Sequence, residues 1–227
     1  MAAVTKMMAM AMAGVMAGAL IATAAHAGTL SSTPGNVVPT NPSVLIDFDG
    51  TNGNTTYSSG FSLSGTAVLT TGSANGYSRP MGDTTQYLMV NGGKTAELRT
   101  KDYSYDGFGL YWGSIDSFNT LEVLGAAGNV LKTITGLDVI SPTADVPGTY
   151  YNDPSLNRYV TYTLDSLTGE RIAGLRFYSG DTAFELDNVT FFGGKPTSVP
   201  EPATLTLFGA GIGGLIAASR RRRKKTA

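Results

Sequence analysis

Four glutamates (Glu97, Glu122, Glu170 and Glu185), a scatter of aspartates, and several tyrosines and lysines are the groups in residues 28–199 that can do chemistry. The chain has no cysteine and one histidine, His26, so residues 28–199 contain neither. That excludes Ser-His-Asp and Cys-His nucleophilic machinery, thiolate metal centres and histidine-bound zinc or iron. What remains is carboxylate chemistry, Tyr or Lys chemistry, and oxygen-ligated calcium or magnesium. Two carboxyls held roughly 5–9 Å apart can hydrolyse a glycoside, but spacing along the chain does not say whether any two of the glutamates face each other. Tyr111 and Trp112, with Tyr103 or Tyr105, offer ring faces on which a sugar can stack. Neighbours in a strand point to opposite faces, so the sole Trp is assigned to the core and Tyr111 to the surface.

These residues must be positioned by short strands. Val44–Gly50, Phe61–Thr70, Gln86–Val90, Lys94–Asp102, Phe108–Ser114, Asn119–Leu124, Asn129–Ile134, Arg158–Leu164, Ile172–Tyr178 and Ala183–Phe192 are rich in Thr, Tyr, Phe and Val and alternate in polarity. Polar stretches at 51–60, 71–85 and 141–157 separate them, and Asn91-Gly92 is a hairpin signal. No segment of 28–199 carries a helical period over ten residues. The expected fold is all-β, a jelly-roll-like antiparallel β-sandwich over residues 44–195, with residues 28–43 as a linker leading into it.

Both ends of the chain differ from this middle. Lys6 is followed by an uncharged apolar run from Met7 to about Thr23, and Ala25-His26-Ala27 places small residues at the −3 and −1 positions of a signal-peptidase site. Residues 1–27 are therefore expected to be a cleaved signal peptide. At the other end, Val199-Pro200-Glu201-Pro202 precedes 17 uncharged residues, Ala203–Ser219, and then Arg220-Arg221-Arg222-Arg223-Lys224-Lys225. As a helix such a run reaches about 25 Å, slightly short of a hydrocarbon core of about 30 Å. The basic cluster would keep the C-terminus cytoplasmic and leave everything before Pro200 outside. With both ends removed, residues 28–199 hold nine Lys or Arg and sixteen Asp or Glu, about −7 in net charge. That argues against nucleic acid and anionic surfaces as partners.

The tail 196–227, with Pro200, Glu201 and Pro202 as its motif, a short Gly-containing transmembrane segment and an Arg cluster, resembles the PEP-CTERM sorting signal. The resemblance implies recognition and cleavage by an exosortase, with passage through the inner membrane to the cell surface or extracellular matrix. Tyr111-Trp112-Gly113-Ser114-Ile115-Asp116 followed by Asn119-Thr120-Leu121 resembles a block found in one group of exosortase-dependent surface proteins. The sandwich itself resembles carbohydrate-binding modules of jelly-roll type, in which a structural calcium bridges the first and last strands. That resemblance implies Asp47, Asp49 and Asp187 as calcium ligands; the competing reading of the aspartates is turn capping, which Asp49 before Gly50 favours. Tyr111 with Trp112 is the candidate ligand platform on the strength of their rings. The leading functional expectation is a non-enzymatic structural or adhesive protein of biofilm or exopolysaccharide, partnered by signal peptidase and exosortase. A carbohydrate-binding module and a carboxylate-based glycoside hydrolase are the alternatives.

Overall fold

A computed structural model describes residues 28–50, 60–140, 152–165 and 169–197. The alternating segments form fourteen strands, all antiparallel: β1 (Gly28–Pro34), β2 (Val44–Ile46), β3 (Phe61–Gly65), β4 (Val68–Thr70), β5 (Tyr87–Asn91), β6 (Thr95–Thr100), β7 (Tyr103–Ser104), β8 (Gly107–Gly113), β9 (Asn119–Gly125), β10 (Val130–Thr135), β11 (Arg158–Leu164), β12 (Ile172–Ser179), β13 (Ala183–Phe192) and β14 (Lys195–Pro196). The described helical turns are α1 (Gly136–Val139) and a 3-10 turn at Pro154–Leu156.

Seven strands make one sheet in the order β1-β11-β8-β13-β5-β4, with β2 also paired to β13; five make the second, β10-β9-β12-β6-β3. One apolar cluster joins them. Leu88, Leu110, Trp112, Phe184 and Phe191 from the first sheet meet Phe61, Leu98, Leu121, Leu175 and Phe177 from the second. Trp112 stacks on Phe184 with ring centroids 4.4 Å apart, and Phe177 meets the same Phe184 edge-on at 5.5 Å. The all-β two-sheet expectation therefore holds, with Trp112 in the core.

Three local expectations are corrected. Residues 28–34, expected as linker, are a seven-residue edge strand in continuous register with β11, from Gly28 opposite Leu164 to Pro34 opposite Arg158. The strand is polar because it is largely exposed; Arg158 ties it down by donating to Ser32 Oγ at 2.8 Å and to the Ser32 carbonyl at 3.1 Å. Pro34, lacking an N–H, is tolerated at the end of an edge strand. Asn91-Gly92 does turn, with Lys94 N–H donating to the Asn91 carbonyl at 3.0 Å, but β5 and β6 then enter different sheets rather than a hairpin. The corner needs Gly92, where a Cβ would stand 1.7 Å from the Asp181 carbonyl oxygen. Phe61–Thr70 is likewise two strands in two sheets, broken at Gly65, whose φ is +85° and whose added Cβ would meet the Thr95 carbonyl at 2.4 Å.

Among the described residues no helix is long and apolar enough to cross a membrane. The expected signal peptide with Ala25 and Ala27, the motif Pro200, Glu201 and Pro202, and the apolar run 203–219 lie outside the described residues.

Candidate functional site

Alternation on the first sheet sends Leu88, Trp112, Phe184 and Leu186 inward, and Tyr87, Met89, Tyr111, Glu185 and Asp187 outward. An antiparallel sheet commonly leaves its outer face to water. Here that face is covered: Tyr87, Tyr111, Glu185 and Asp187 are all buried. Their cover is the segment between β4 and β5. The Tyr111 hydroxyl donates to the Met81 carbonyl at 2.5 Å and the Tyr87 hydroxyl to the Gly72 carbonyl at 2.8 Å. The Ser78 N–H donates to Glu185 Oε1 at 2.8 Å, and the Met81 N–H to Asn157 Oδ1 at 2.9 Å. Gly113 permits the close approach, since a Cβ there would sit 2.7 Å from Pro80.

Asp187 occupies a seam under this cover. One flank of β13 pairs with β5 as far as Leu186 and with β2 from Val189 onward. The register against β8 shifts between Asp187 and Thr190, and Asn188 sits at φ +49°. Two further carboxyls come to the seam. Asp49 Oδ1 accepts from the Gln86 N–H at 3.0 Å. Asp83 Oδ1 accepts from the Thr85 N–H at 2.9 Å and its hydroxyl at 3.0 Å. The Asp83 and Asp187 carboxyls lie within hydrogen-bonding reach of each other. Both residues are over nine-tenths buried, and neither Asp83 Oδ2 nor Asp187 Oδ1 has a donor. Burial chiefly, then the charges of Asp83 and Asp49, pushes the Asp187 carboxyl up to about 9. Burial likewise lifts Glu185 to about 8, with Asp116 adding to it. Such a pair is stable in one of two ways: with a shared proton, or with a cation between the oxygens.

The expected site residues thus separate. Asp49 lies near enough for its charge to act on Asp187, but Asp47 and Asp49 are both exposed, and Asp47 Oδ1 accepts from the Asp49 N–H at 3.3 Å. Asp83 takes its place, a residue in a polar loop whose sequence offers only an Asx-turn signal. Among the described residues no three acidic, His or Cys side chains form a ready metal cage; remaining ligands for a cation would be backbone oxygens or water. The platform expectation is overturned: Tyr111 and Trp112 are both fully buried, Tyr111 because the cover closes over it, so neither offers a ring face to a ligand.

The outer face of the second sheet is open by comparison. Ser64, Glu97, Arg176, Glu122 and Thr133 stand side by side across five strands. Arg176 donates to Glu97 at 2.9 Å and to Glu122 at 2.6 Å, and Arg99 donates to Glu97 at 2.6 Å. Burial alone would raise the Glu97 carboxyl, but the bonds from Arg99 and Arg176 outweigh it and hold the group low. The two arginines and two glutamates leave no net charge. Beside this row Tyr178 is 42% exposed, flanked in register by Thr95 and Thr120.

In comparison with solved structures, the chain is similar to the catalytic domain of a GH87 alpha-1,3-glucanase in complex with tetrasaccharides, at 13% identity and a TM-score of 0.37 over 70% of this chain and 30% of that one. It is also similar to an exo-beta-agarase, at 14% identity and a TM-score of 0.32 over 70% of this chain and 26% of that one. The chain spans less than a third of either structure, and likeness at this level bears on neither activity nor substrate. No curated protein matches the sequence. The tail is another matter: residues 198–224 match the PEP-CTERM protein-sorting motif, and the chain therefore carries the sorting signal of exosortase-targeted surface proteins.

Proposed function

We propose that this is a non-enzymatic adhesive protein of the cell surface or extracellular matrix, which holds uncharged exopolysaccharide on the open face of its second sheet. Its signal peptide is removed after Ala27. The apolar run 203–219 holds it in the inner membrane, and an exosortase cuts near Pro200–Pro202 to release a jelly-roll-like sandwich. The observation that carries the adhesive reading is Tyr178, an exposed ring near the end of the central strand of the open sheet, beside its charge-balanced ion network. Aromatic faces stack on sugars, and the domain's net charge of about −7 disfavours an anionic polymer.

A glycosidase reading has less support. Glu97 and Glu122 are committed to Arg176, and Glu185 and Asp187 lie under the cover, where a polymer has no access. Binding of the mature protein to isolated exopolysaccharide, by co-sedimentation, tests the proposal. Tyr178→Ala should abolish most of the binding without lowering the melting temperature; unchanged binding would sink it.

We infer also that calcium is a structural ion at the Asp83–Asp187 contact. Hard oxygen donors, two of them buried and unpartnered, fit that ion, and Asp49 at the rim adds charge. Calcium titrated into chelator-stripped protein should release heat and raise the melting temperature. If neither occurs, the pair is a proton-sharing pair instead.

A further inference from the structure

The last residues of the sandwich are held firmly. β14 pairs with β7, Lys195 opposite Ser104 and Pro196 opposite Tyr103, and the Thr197 N–H donates to the Asp102 carbonyl at 2.9 Å. Arg171 closes this exit, donating to Ser104 Oγ at 3.0 Å, to the Ser104 carbonyl at 2.7 Å, to Asp106 and to the Gly193 carbonyl. The apolar run begins at Ala203, so residues 198–202 alone separate it from a hydrogen-bonded residue. Even fully extended, the chain from Thr197 to Ala203 covers only about 20 Å. The start of the domain is at the same end: Gly28 pairs with Leu164, whose N–H donates to the Asp106 carbonyl at 2.8 Å. Both apolar terminal segments therefore leave from one end of the sandwich. While the tail is in a membrane, that end faces it.

The surface displayed there suits a bilayer. A groove there is lined by Val44, Phe61, Tyr103 and Tyr105; Phe61 and Tyr105 are buried in its floor, and Tyr103, 46% exposed, is the ring presented at its rim. Lys101 and Lys195 flank it and are exposed; Asp102 between Lys101 and Tyr103 is exposed too, while Asp106 is paired with Arg171, so this end lacks the acidic excess of the domain as a whole. Tyr rings and long basic side chains are the residues that settle at the headgroup level, the ring amphipathic and the ammonium reaching to phosphate.

We propose that the end of the sandwich bearing Tyr103, Lys101 and Lys195 docks on the phospholipid surface of the membrane holding its own tail, and lets go when the tail is cut. This rests on the sorting reading above. The contact is small, and the tether makes it intramolecular; loss of the tether removes the high effective concentration that sustains it. The exosortase then meets a substrate whose motif is held close to the membrane by the docked domain.

The chain has no cysteine, so Ser43→Cys in the full-length protein introduces a single reporter thiol at an exposed position lining the same groove. Asp181→Cys, exposed at the opposite end, is the control. Labelling with a membrane-impermeant maleimide is measured on the membrane-bound precursor in spheroplasts and on the released surface form. The expected result is that position 43 labels several-fold more slowly in the precursor than after release, while position 181 labels equally in both. Adding Lys101→Glu and Lys195→Glu should restore fast labelling of position 43 in the precursor. Equal labelling at 43 in both forms would overturn the docking alone. A chain missing from the membrane fraction would overturn the sorting reading, and the docking with it.

Discussion

The carboxyl groups of Asp83 and Asp187 lie within hydrogen-bonding reach of one another in a buried seam, and no donor serves Asp83 Oδ2 or Asp187 Oδ1. The arrangement links a loop to the central strand of the larger sheet, and it makes the stability of that link depend on what neutralises the pair.

Stability of the calcium-free protein should fall as pH rises. Asp187 holds its proton to about 9 and Glu185 to about 8 in the folded state, against about 3.9 and 4.3 in an unfolded chain. Between those limits the folded state binds more protons, so unfolding becomes easier with every step up in pH. Melting temperatures of chelator-treated protein should decline from about pH 5 to about pH 9. Asp187→Asn and saturating calcium should each flatten the decline. A flat profile in the chelator-treated wild type would contradict the buried pair.

Trp112→Ala should cost about 3–5 kcal/mol, the usual loss for emptying a large aromatic site, because Trp112 is fully buried against Phe184. Trp112→Phe should cost far less, about 1 kcal/mol, since the indole N–H has no hydrogen-bond partner to lose. Urea unfolding of the two variants measures the difference. The same burial predicts that the single Trp emission stays unchanged across a panel of glycans.

Removing Arg171 should loosen the exit of the chain. Its guanidinium joins Ser104, Asp106 and Gly193, and hydrogen bonds to a charged group contribute about 1.5–3 kcal/mol when well buried. With this side chain about one-fifth exposed, Arg171→Met should lower stability by about 1–2 kcal/mol. Limited proteolysis should cut the variant faster around Gly193–Thr197 than the wild type. An unchanged cleavage pattern would show that β14 is held by backbone pairing alone.

Breaking the open-face ion network should alter binding more than folding. Arg176 bridges two glutamates at a half-exposed surface, where each pair contributes about 0.2–1 kcal/mol. Arg176→Gln should shift the urea midpoint little while leaving Glu97 and Glu122 uncompensated beside Tyr178. Exopolysaccharide binding should then weaken through loss of the guanidinium beside Tyr178, and, because the polymer is uncharged, by a similar factor at low and high salt.

Strands with a clear period of two were legible from the residues alone. Arg158–Leu164 and Asn119–Gly125 stand where alternation puts them, and the latter pairs with β10 across Gly125–Gly128 as its turn residues imply. Asp187 was legible as a candidate because it lies on the closing strand. Gly28–Pro34 was not, because an exposed edge strand has no apolar face to announce it. Asn91-Gly92 signals a turn, but the same chemistry serves a hairpin and a corner between sheets; only the partners of β5 and β6 decide. The cover over Tyr111 was hidden for a different reason. Its anchors, Ser78 on Glu185 and Met81 on Asn157, are single long-range bonds with no periodicity. Asp83 was missed with it.

The chain leaves the sandwich through β14, directly after β13, and β13 has neighbours on both sides: β8 along one flank, β5 and β2 along the other. A pull on the tail, whether from a crowded membrane or from polymer dragging on the opposite face, is taken first by the two-residue β14–β7 ladder and then by β13. The ladders on either side are then loaded in shear and must slip together, with Arg171 as the latch at the point of entry. β1, carrying a single ladder, holds the other terminus. Mechanical strength is therefore concentrated at the end of the chain where the tether is attached.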